Sequence, residues 1–459
     1  MSDLAVRGGR VVTSDGIVEA DLLVLSGHIT GIVPPDEGTA REEIDARGLV
    51  VLPGVVDAHV HVNEPGRTEW EGWLAATRGA AAGGVTTIAD MPLNSIPPTV
   101  DGDAFDEKYD AASQSAIVDF AIWGGLVDHD AERLRELAAC GVVGVKAFMC
   151  PSGVDEFPHV HDGPTLALAL AAATSAGLLV AVHAEDEAIT AVTTEHVRRS
   201  GRRDARAWLD SRPVQAERVA IESLGSAAQR IGASVHVVHA SSHEALRAVD
   251  GWKGRGADIT VETCPHYLSF DAGDVDAVGP ALKCAPPIRD GERERLWSDL
   301  ATSYFPDRRR VDYVASDHSP CTPALKRRGA DDFFEAWGGV SGLQSLLPVM
   351  LTDGVYARRL ALPDLAQLVA TRPAKRLGIW PRKGEIQLGA DADLVLVDLA
   401  REWTLTQEAL ETKSGISPYV GRRFHGAVAR TIVRGRTVFL DGKVEGEPGD
   451  GWFVQRVNL

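Results

Sequence analysis

Apolar, strand-like runs in the middle of this sequence carry residues that can bind a metal or move a proton. These residues are His59, His61, Lys146, His183, His239 and Asp317. Side chains two positions apart on a strand point to the same side, so His59 and His61 face one direction. Taken singly, each residue has a structural explanation, such as a hydrogen-bonded histidine or a helix N-cap at Asp317. Their shared place near the ends of successive strands favours one common site.

The chemistry that suits such a site is metal binding. Four imidazoles and a carboxylate fit zinc best, and manganese, cobalt and iron remain open as alternatives. Lys146, inside GVVGVKAF, is costly to bury as an unpaired ammonium, so its structural alternative is an ion pair with a buried acid. A neutral amine instead takes up CO2 and becomes a carbamate, whose two oxygens can each ligate one metal. We therefore predict two divalent metal ions bridged by carbamylated Lys146.

Eight near-continuous apolar runs must position these residues. They are VVLPGVVDAH, VTTIADMP, DFAIWGGL, GVVGVKAF, LLVAVHAE, SVHVVHAS, ITVETCPH and VDYVASDH. Helical patterns lie between them, at 130–140, 165–177, 214–232 and 243–252. Eight apolar strands alternating with helices over about 320 residues predict an α/β fold, a (β/α)8 barrel of the TIM type, with functional groups at the C-terminal ends of the strands. An open doubly wound sheet is the alternative, but no GxGxxG follows the first strand.

The composition limits the partners that the chain can have. It has 459 residues and a formal net charge of −18, with 65 acidic and 47 basic residues. An acidic chain repels phosphate backbones and anionic lipids, so we expect neither nucleic acid nor a membrane as a partner. The N-terminus lacks the apolar stretch that is typical of a signal peptide, so we expect no signal peptide. Five cysteines without CxxC spacing predict reduced thiols and a cytoplasmic protein.

Longer strings resemble the cyclic amidases of the amidohydrolase superfamily, which include dihydroorotases, hydantoinases, dihydropyrimidinases and allantoinases. The resemblance extends over nearly the whole chain, from VVLPGVVDAHVH to KGEIQLGADADLVLVD. It implies a small β-sandwich made by both termini, residues 1–54 and 378–459, around a barrel at 55–377. A homotetramer is also expected, because homotetramers are common in this family.

The same resemblance implies a division of the metal ligands. One metal is held by His59, His61 and Asp317, and the other by His183 and His239. Carbamylated Lys146 and a hydroxide bridge the two ions, and the hydroxide attacks a ring amide carbonyl. Asp317 takes the proton of the hydroxide and passes it to the leaving nitrogen, so it is the expected catalytic residue.

Local strings are similar to the allantoinase branch, among them EPGRTEWEGWLAATRGAAAGGVTT, MPLNSIPPTV, ETCPHYL, KCAPPIRD and SDHSPC. Dihydroorotases have an arginine where this chain has Asn63, and a histidine where it has Cys321. An anionic substrate would lose its bidentate partner here, whereas the neutral hydantoin ring of allantoin needs none. The expected reaction is therefore ring opening of allantoin, a small molecule, to allantoate. Asn63, Asn94 and Ser316 are the candidate substrate contacts.

Two further interpretations of the sequence remain open. A broader hydantoinase or dihydropyrimidinase acting on 5-substituted hydantoins is the nearest alternative. A metal-free scaffold is the other, although such relatives lose ligands and all six positions are filled here. The loop at 62–78, with Trp70 and Trp73, either closes over the site or only packs against the barrel.

Overall fold

The N-terminal strands belong to a sheet that the C-terminus completes. The computed structural model describes residues 1–160, 163–302 and 310–457, and His161, for which the sequence predicts no metal role, lies outside these ranges. The strands are β1 (Ser2–Thr13), β2 (Gly16–Leu25), β3 (His28–Val33), β4 (Ala40–Asp45) and β5 (Val50–Pro53). At Gly54, directly after β5, a Cβ would overlap the Thr86 side chain. Glycine therefore permits the close passage from this sheet into the barrel.

The barrel follows at once and contains the eight predicted runs. Its strands are β6 (Val55–Val60), β7 (Val85–Asp90), β8 (Asp119–Ile122), β9 (Gly124–Gly125), β10 (Val145–Phe148), β11 (Val180–His183), β12 (Val235–Val237), β13 (Ile259–Thr263) and β14 (Tyr313–Val314). The third run supplies both β8 and β9, which are separated only by Trp123. Neighbouring strands pair in parallel. Nearly every residue in them is buried, as expected for a sheet covered on both faces.

The strand register aligns the ends that carry the predicted site. Phe148 at the end of β10 lies opposite His183 at the end of β11. The barrel closes between its first and last strands, where Val60 bridges His318 in parallel. The amide of His61 also donates to the carbonyl of His318 at 2.8 Å. Closure thus brings the HVH segment beside Asp317.

Helices alternate with the barrel strands and cover them. They are α1 (Trp73–Ala82), α2 (Gly102–Ser115), α3 (Ala131–Cys140), α4 (Gly163–Ser175), α5 (Glu187–Arg199), α6 (Ala205–Ser211), α7 (Val214–Ile231), α8 (His243–Lys253), α9 (Pro265–Ser269), α10 (Ala272–Val278), α11 (Glu292–Thr302), α12 (Pro323–Arg327), α13 (Leu346–Val349), α14 (Leu362–Ala366) and α15 (Arg372–Leu377). Asp130 and Ser242 accept backbone N–H groups as N-caps of α3 and α8. Within the described residues, no helix has the length and apolar character needed to cross a bilayer.

The C-terminal strands complete the first sheet. They are β15 (Leu394–Thr404), β16 (Arg423–Val433), β17 (Arg436–Leu440) and β18 (Lys443–Val444). β15 pairs antiparallel with β5, so strands from both termini form one nine-stranded sheet in the described part of the chain. Residues from both ends, including Leu22, Val51 and Leu396, share an apolar core separate from that of the barrel. The predicted fold class is confirmed, and the exact domain boundaries stay predictions.

A buried ion cluster joins the terminal sheet to the barrel. Lys383 Nζ contacts Asp391 at 2.8 Å and Asp393 at 2.7 Å, both just before β15. It also contacts Asp119 at the start of β8, and Arg434 pairs with the same aspartate. With Arg382, which pairs with Asp391 at 2.9 Å, three cations offset the three buried carboxylates, whose unpaired burial would be costly.

Candidate metal centre

A cavity of about 350 Å³ lies at the C-terminal ends of the barrel strands. It is lined by all six residues that the sequence singles out: His59, His61, Lys146, His183, His239 and Asp317. Each of them is buried, and the cavity is still open enough to admit a small molecule. The structure therefore brings these side chains together at the place where barrel proteins carry their chemistry.

His59, His61 and Asp317 form the first cluster of possible metal ligands. Asp317 Oδ1 lies 3.3 Å from His59 Nε2 and 3.6 Å from His61 Nε2. Burial disfavours the charge of Asp317, but the two imidazoles outweigh it and hold the pKa of this carboxyl well below its usual range. His59 Nε2 has no hydrogen-bond partner among the described residues. A nitrogen so placed is a suitable metal ligand.

His183 and His239 form the second cluster. His183 Nδ1 and His239 Nε2 lie 3.0 Å apart, so both nitrogens face one point. The other nitrogen of His183 lies 2.7 Å from the carboxylate of Glu185. Burial disfavours a charged imidazole, yet Cys150 and Glu185 raise the pKa of His183 to about 9. Glu185 thereby orients the His183 ring so that its Nδ1 atom faces His239.

Lys146 lies in the cavity wall with its side chain fully buried. Its Nζ has no hydrogen-bond partner among the described residues and lies 5.2 Å from the centre of the Phe148 ring. Burial lowers the pKa of this amine to about 8, against the opposing charges of Asp317 and Glu262. An ion pair, the structural alternative for this lysine, is not formed in the described part of the chain. The amine is therefore suited to react in its neutral form.

Four residues in or beside this cavity have a left-handed backbone conformation. His239 and Asp317 have φ values of 41° and 46°, and Asn63 and Asn94 have values of 66° and 68°. The left-handed region is unfavourable for residues other than glycine, and such strain is typical of functional sites. At these strand ends it turns the chain sharply, which a regular strand cannot do.

Glu262 supports the site, and the sequence did not predict this role. One of its oxygens lies 2.6 Å from His59 Nδ1, and the other lies 3.1 Å from His236 Nε2. Burial opposes ionisation, but the imidazoles of His59 and His236 lower the pKa of Glu262 to about 2. The only indication in the sequence is that Glu262, Cys264 and His266 lie two positions apart on the seventh apolar run. Both Cys264 and His266 are buried.

The candidate substrate contacts occupy different places. Asn94 lines the cavity. Asn63 is buried, and its Nδ2 donates to the carbonyl of Pro320 at 3.2 Å. Ser316 is fully buried, and its hydroxyl accepts the amide of His318 at 3.0 Å. The structure thus brings Asn94, but neither Asn63 nor Ser316, into the lining that the described residues form.

The two tryptophans of the 62–78 loop have different surroundings. Trp73 belongs to α1, is fully buried and packs against Phe120 with ring centres 5.2 Å apart. Trp70 meets the edge of Trp337, 4.8 Å away, and Trp337 lines the cavity. Trp73 therefore packs the loop onto the barrel, and Trp70 borders the cavity entrance.

A parallel barrel that gathers unpaired imidazole nitrogens, a carboxylate and a buried lysine at its mouth defines the class of metal-dependent hydrolases. Residues 50–249 and 310–438 match the model of the amidohydrolase family. The chain therefore belongs to the amidohydrolase family, and it is a metal-dependent enzyme acting on cyclic amides.

Known relatives match the chain over nearly its full length. It is 48% identical to an allantoinase of Rubrobacter xylanophilus, over 99% of this chain and 97% of that protein. It is 39% identical to an allantoinase of Escherichia coli, over 95% of each. The solved structure of the L-hydantoinase (dihydropyrimidinase) from Arthrobacter aurescens superimposes with a TM-score of 0.95 at 35% identity, covering 99% of this chain and all of that one.

We expect Glu262→Gln to weaken divalent-metal binding about 10- to 100-fold, because His59 loses the carboxylate that orients it and increases its basicity. Metal affinity would be measured by competition with a chelator. Glu195→Gln, on an exposed part of α5, is the matched control. Equal affinity in the two variants would show that Glu262 does not act through His59.

Proposed function

We propose that this protein opens the hydantoin ring of allantoin by hydrolysis and releases allantoate. The observation that carries this proposal is the similarity to proteins named allantoinases along nearly the entire chain. An anionic ring substrate would need an arginine at the position of Asn63. The asparagine at this position agrees with a neutral substrate.

The proposed metal ligands are His59, His61 and Asp317 for one ion and His183 and His239 for the other, bridged by carbamylated Lys146. Two observations support this set. The nitrogens of His59 and Lys146 that face the cluster have no hydrogen-bond partner in the described part of the chain. Burial also favours the neutral amine of Lys146, which is the form that takes up CO2. Zinc suits the donors best, and manganese, cobalt and iron are alternatives.

The residues of the chain then have distinct tasks in the reaction. Bound divalent ions would lower the pKa of a coordinated water and polarise the amide carbonyl that it attacks. Asp317, held ionised between His59 and His61, would accept the proton of the attacking water. It delivers this proton to the ring nitrogen as the carbon–nitrogen bond breaks. Ser319 donates a hydrogen bond of 3.1 Å to Asp317 Oδ1 and so orients the carboxylate.

A substrate assay tests the proposal directly. We expect the metal-loaded protein to hydrolyse allantoin faster than hydantoin or dihydrouracil, with both metal content and product formation measured. The alternative, a hydantoinase or dihydropyrimidinase, is favoured by the similarity to the Arthrobacter aurescens structure. Faster turnover of hydantoin or dihydrouracil would support that alternative. Absence of metal would support the scaffold interpretation.

Asp317→Asn should keep the metal and lose about 10²- to 10⁴-fold in turnover, because the amide cannot carry the proton. Asp441→Asn is a matched control, since both aspartates have φ near 45° and Asp441 is exposed. Asparagine tolerates that backbone conformation, so neither change should disturb the fold. Turnover of Asp317→Asn near that of the control would refute the proton-transfer role.

Lys146→Ala should lose most of the bound metal, because the bridging ligand is removed. Added short carboxylic acids should restore part of both metal content and activity, since a carboxylate can occupy the place of the carbamate. Elemental analysis of Lys146→Ala and of Lys375→Ala, an exposed lysine on α15, provides the comparison. Full metal content in Lys146→Ala would contradict carbamylation.

We further propose a cytoplasmic homotetramer. The five cysteines are free thiols, as expected for a reducing compartment. The tetramer is inferred from the family resemblance alone, and its measurement by light scattering is independent of the catalytic proposal.

A further inference from the structure

Residues 334–339, here called the roof segment, form one continuous part of the cavity wall. Every residue of this segment lines the cavity, and Glu335 is exposed on its other side. Phe334 meets the edge of Trp208, with ring centres 5.6 Å apart. Trp337 is in edge contact with Trp70. A substrate in the cavity can therefore contact this segment.

Lys283 holds the first half of the roof segment. Its Nζ donates hydrogen bonds to the carbonyl of Phe334 at 2.8 Å and to that of Ala336 at 2.6 Å. The side chain is buried and lines the cavity, and its ammonium lies 4.3 Å from the centre of the Trp208 ring. One lysine thus ties two roof carbonyls to the cavity wall.

Lys326 holds the second half in the same way. Its Nζ donates to the carbonyl of Trp337 at 2.9 Å and to that of Gly339 at 2.6 Å. The amide of Gly339 in turn donates to the carbonyl of Lys283 at 2.7 Å. The roof segment is therefore held at four carbonyls by two lysines from different parts of the chain.

These two lysines are costly to bury. Neither forms a salt bridge with a carboxylate among the described residues, so backbone carbonyls, together with the Trp208 ring in the case of Lys283, stabilise the charge. Burial lowers the pKa of Lys283 to about 7, helped by the nearby charges of Lys326 and Arg212, and lowers that of Lys326 to about 8. Apolar side chains would fill the same space with less desolvation cost, so overall stability does not explain them.

We infer that Lys283 and Lys326 are positioning residues, which fix the roof segment so that it holds the substrate against the metal cluster. The inference rests on the proposed function, because the substrate named there is the ligand that the roof would contact. The lysines act through the roof backbone and do not touch the reacting atoms. Their loss should therefore affect substrate binding more than the chemical step.

The test uses Lys283→Met and Lys326→Met in the metal-loaded protein, with Lys375→Met as the exposed control. We expect amide hydrogen exchange in residues 333–341 to become faster in both variants and to stay unchanged in the control. We expect KM for allantoin to rise on the order of 10-fold through lost positioning, with kcat and metal content close to wild type. If one variant fails to fold, the other still tests its own half of the segment.

Each result has a defined meaning. Exchange no faster than in Lys375→Met would overturn the inference, and so would faster exchange with an unchanged KM. A fall in kcat with an unchanged KM would place the lysines in the chemical step and would also overturn it. If the wild-type protein does not hydrolyse allantoin, the proposed function fails. The exchange measurement then still decides whether the lysines hold the roof segment.

Discussion

Closure of the barrel between its first and last strands is the constraint on which the site depends. Val60 bridges His318, and the fully buried carboxylate of Asp57 accepts the amide of Ser316 at 3.0 Å, across 259 positions of sequence. These bonds set Asp317 directly beside the HVH segment. Asp57 also accepts the amide of His59 at 3.3 Å, so it helps to position this imidazole through the backbone.

Buried carboxylates in this protein orient the imidazole rings at the cavity. Glu262 and Glu185 each take one imidazole nitrogen and leave the other facing the cavity. Each carboxylate has a second partner, His236 for Glu262 and Arg212 for Glu185. Removing one partner of such a network leaves a buried charge unpaired, so its members depend on one another. The direction of each ring is thus determined by groups outside the cavity.

The barrel and the six candidate ligands were predictable because their signals are local. Apolar runs and period-two spacing are features of a few consecutive residues, and the eight runs contain the barrel strands β6 to β14. Glu262 was not predicted, since its role depends on a contact with His59 across 203 positions. The hydrogen bonds from Lys283 to backbone carbonyls could not be predicted either, because every residue type has a backbone carbonyl. Ser316 was adjacent to Asp317 in sequence, but adjacency does not determine which side chains face a cavity.

Charge balance distinguishes the part of the candidate metal centre formed by His59, His61 and Asp317 from two other groups of side chains with metal-ligating atoms, one of which includes His183. The described residues contain three such groups: His59 with His61 and Asp317, Cys150 with His183 and Glu185, and Asp119 with Asp391 and Asp393. Lys383 lies among the aspartates of the third group and supplies a positive charge there. Arg212 contacts Glu185 and does the same in the second. In the first group the neighbouring cation is Lys146. Burial lowers the pKa of its amine and so favours the neutral form. That group alone combines a carboxylate, unpaired imidazole nitrogen and an open cavity, so a divalent cation gains most free energy there.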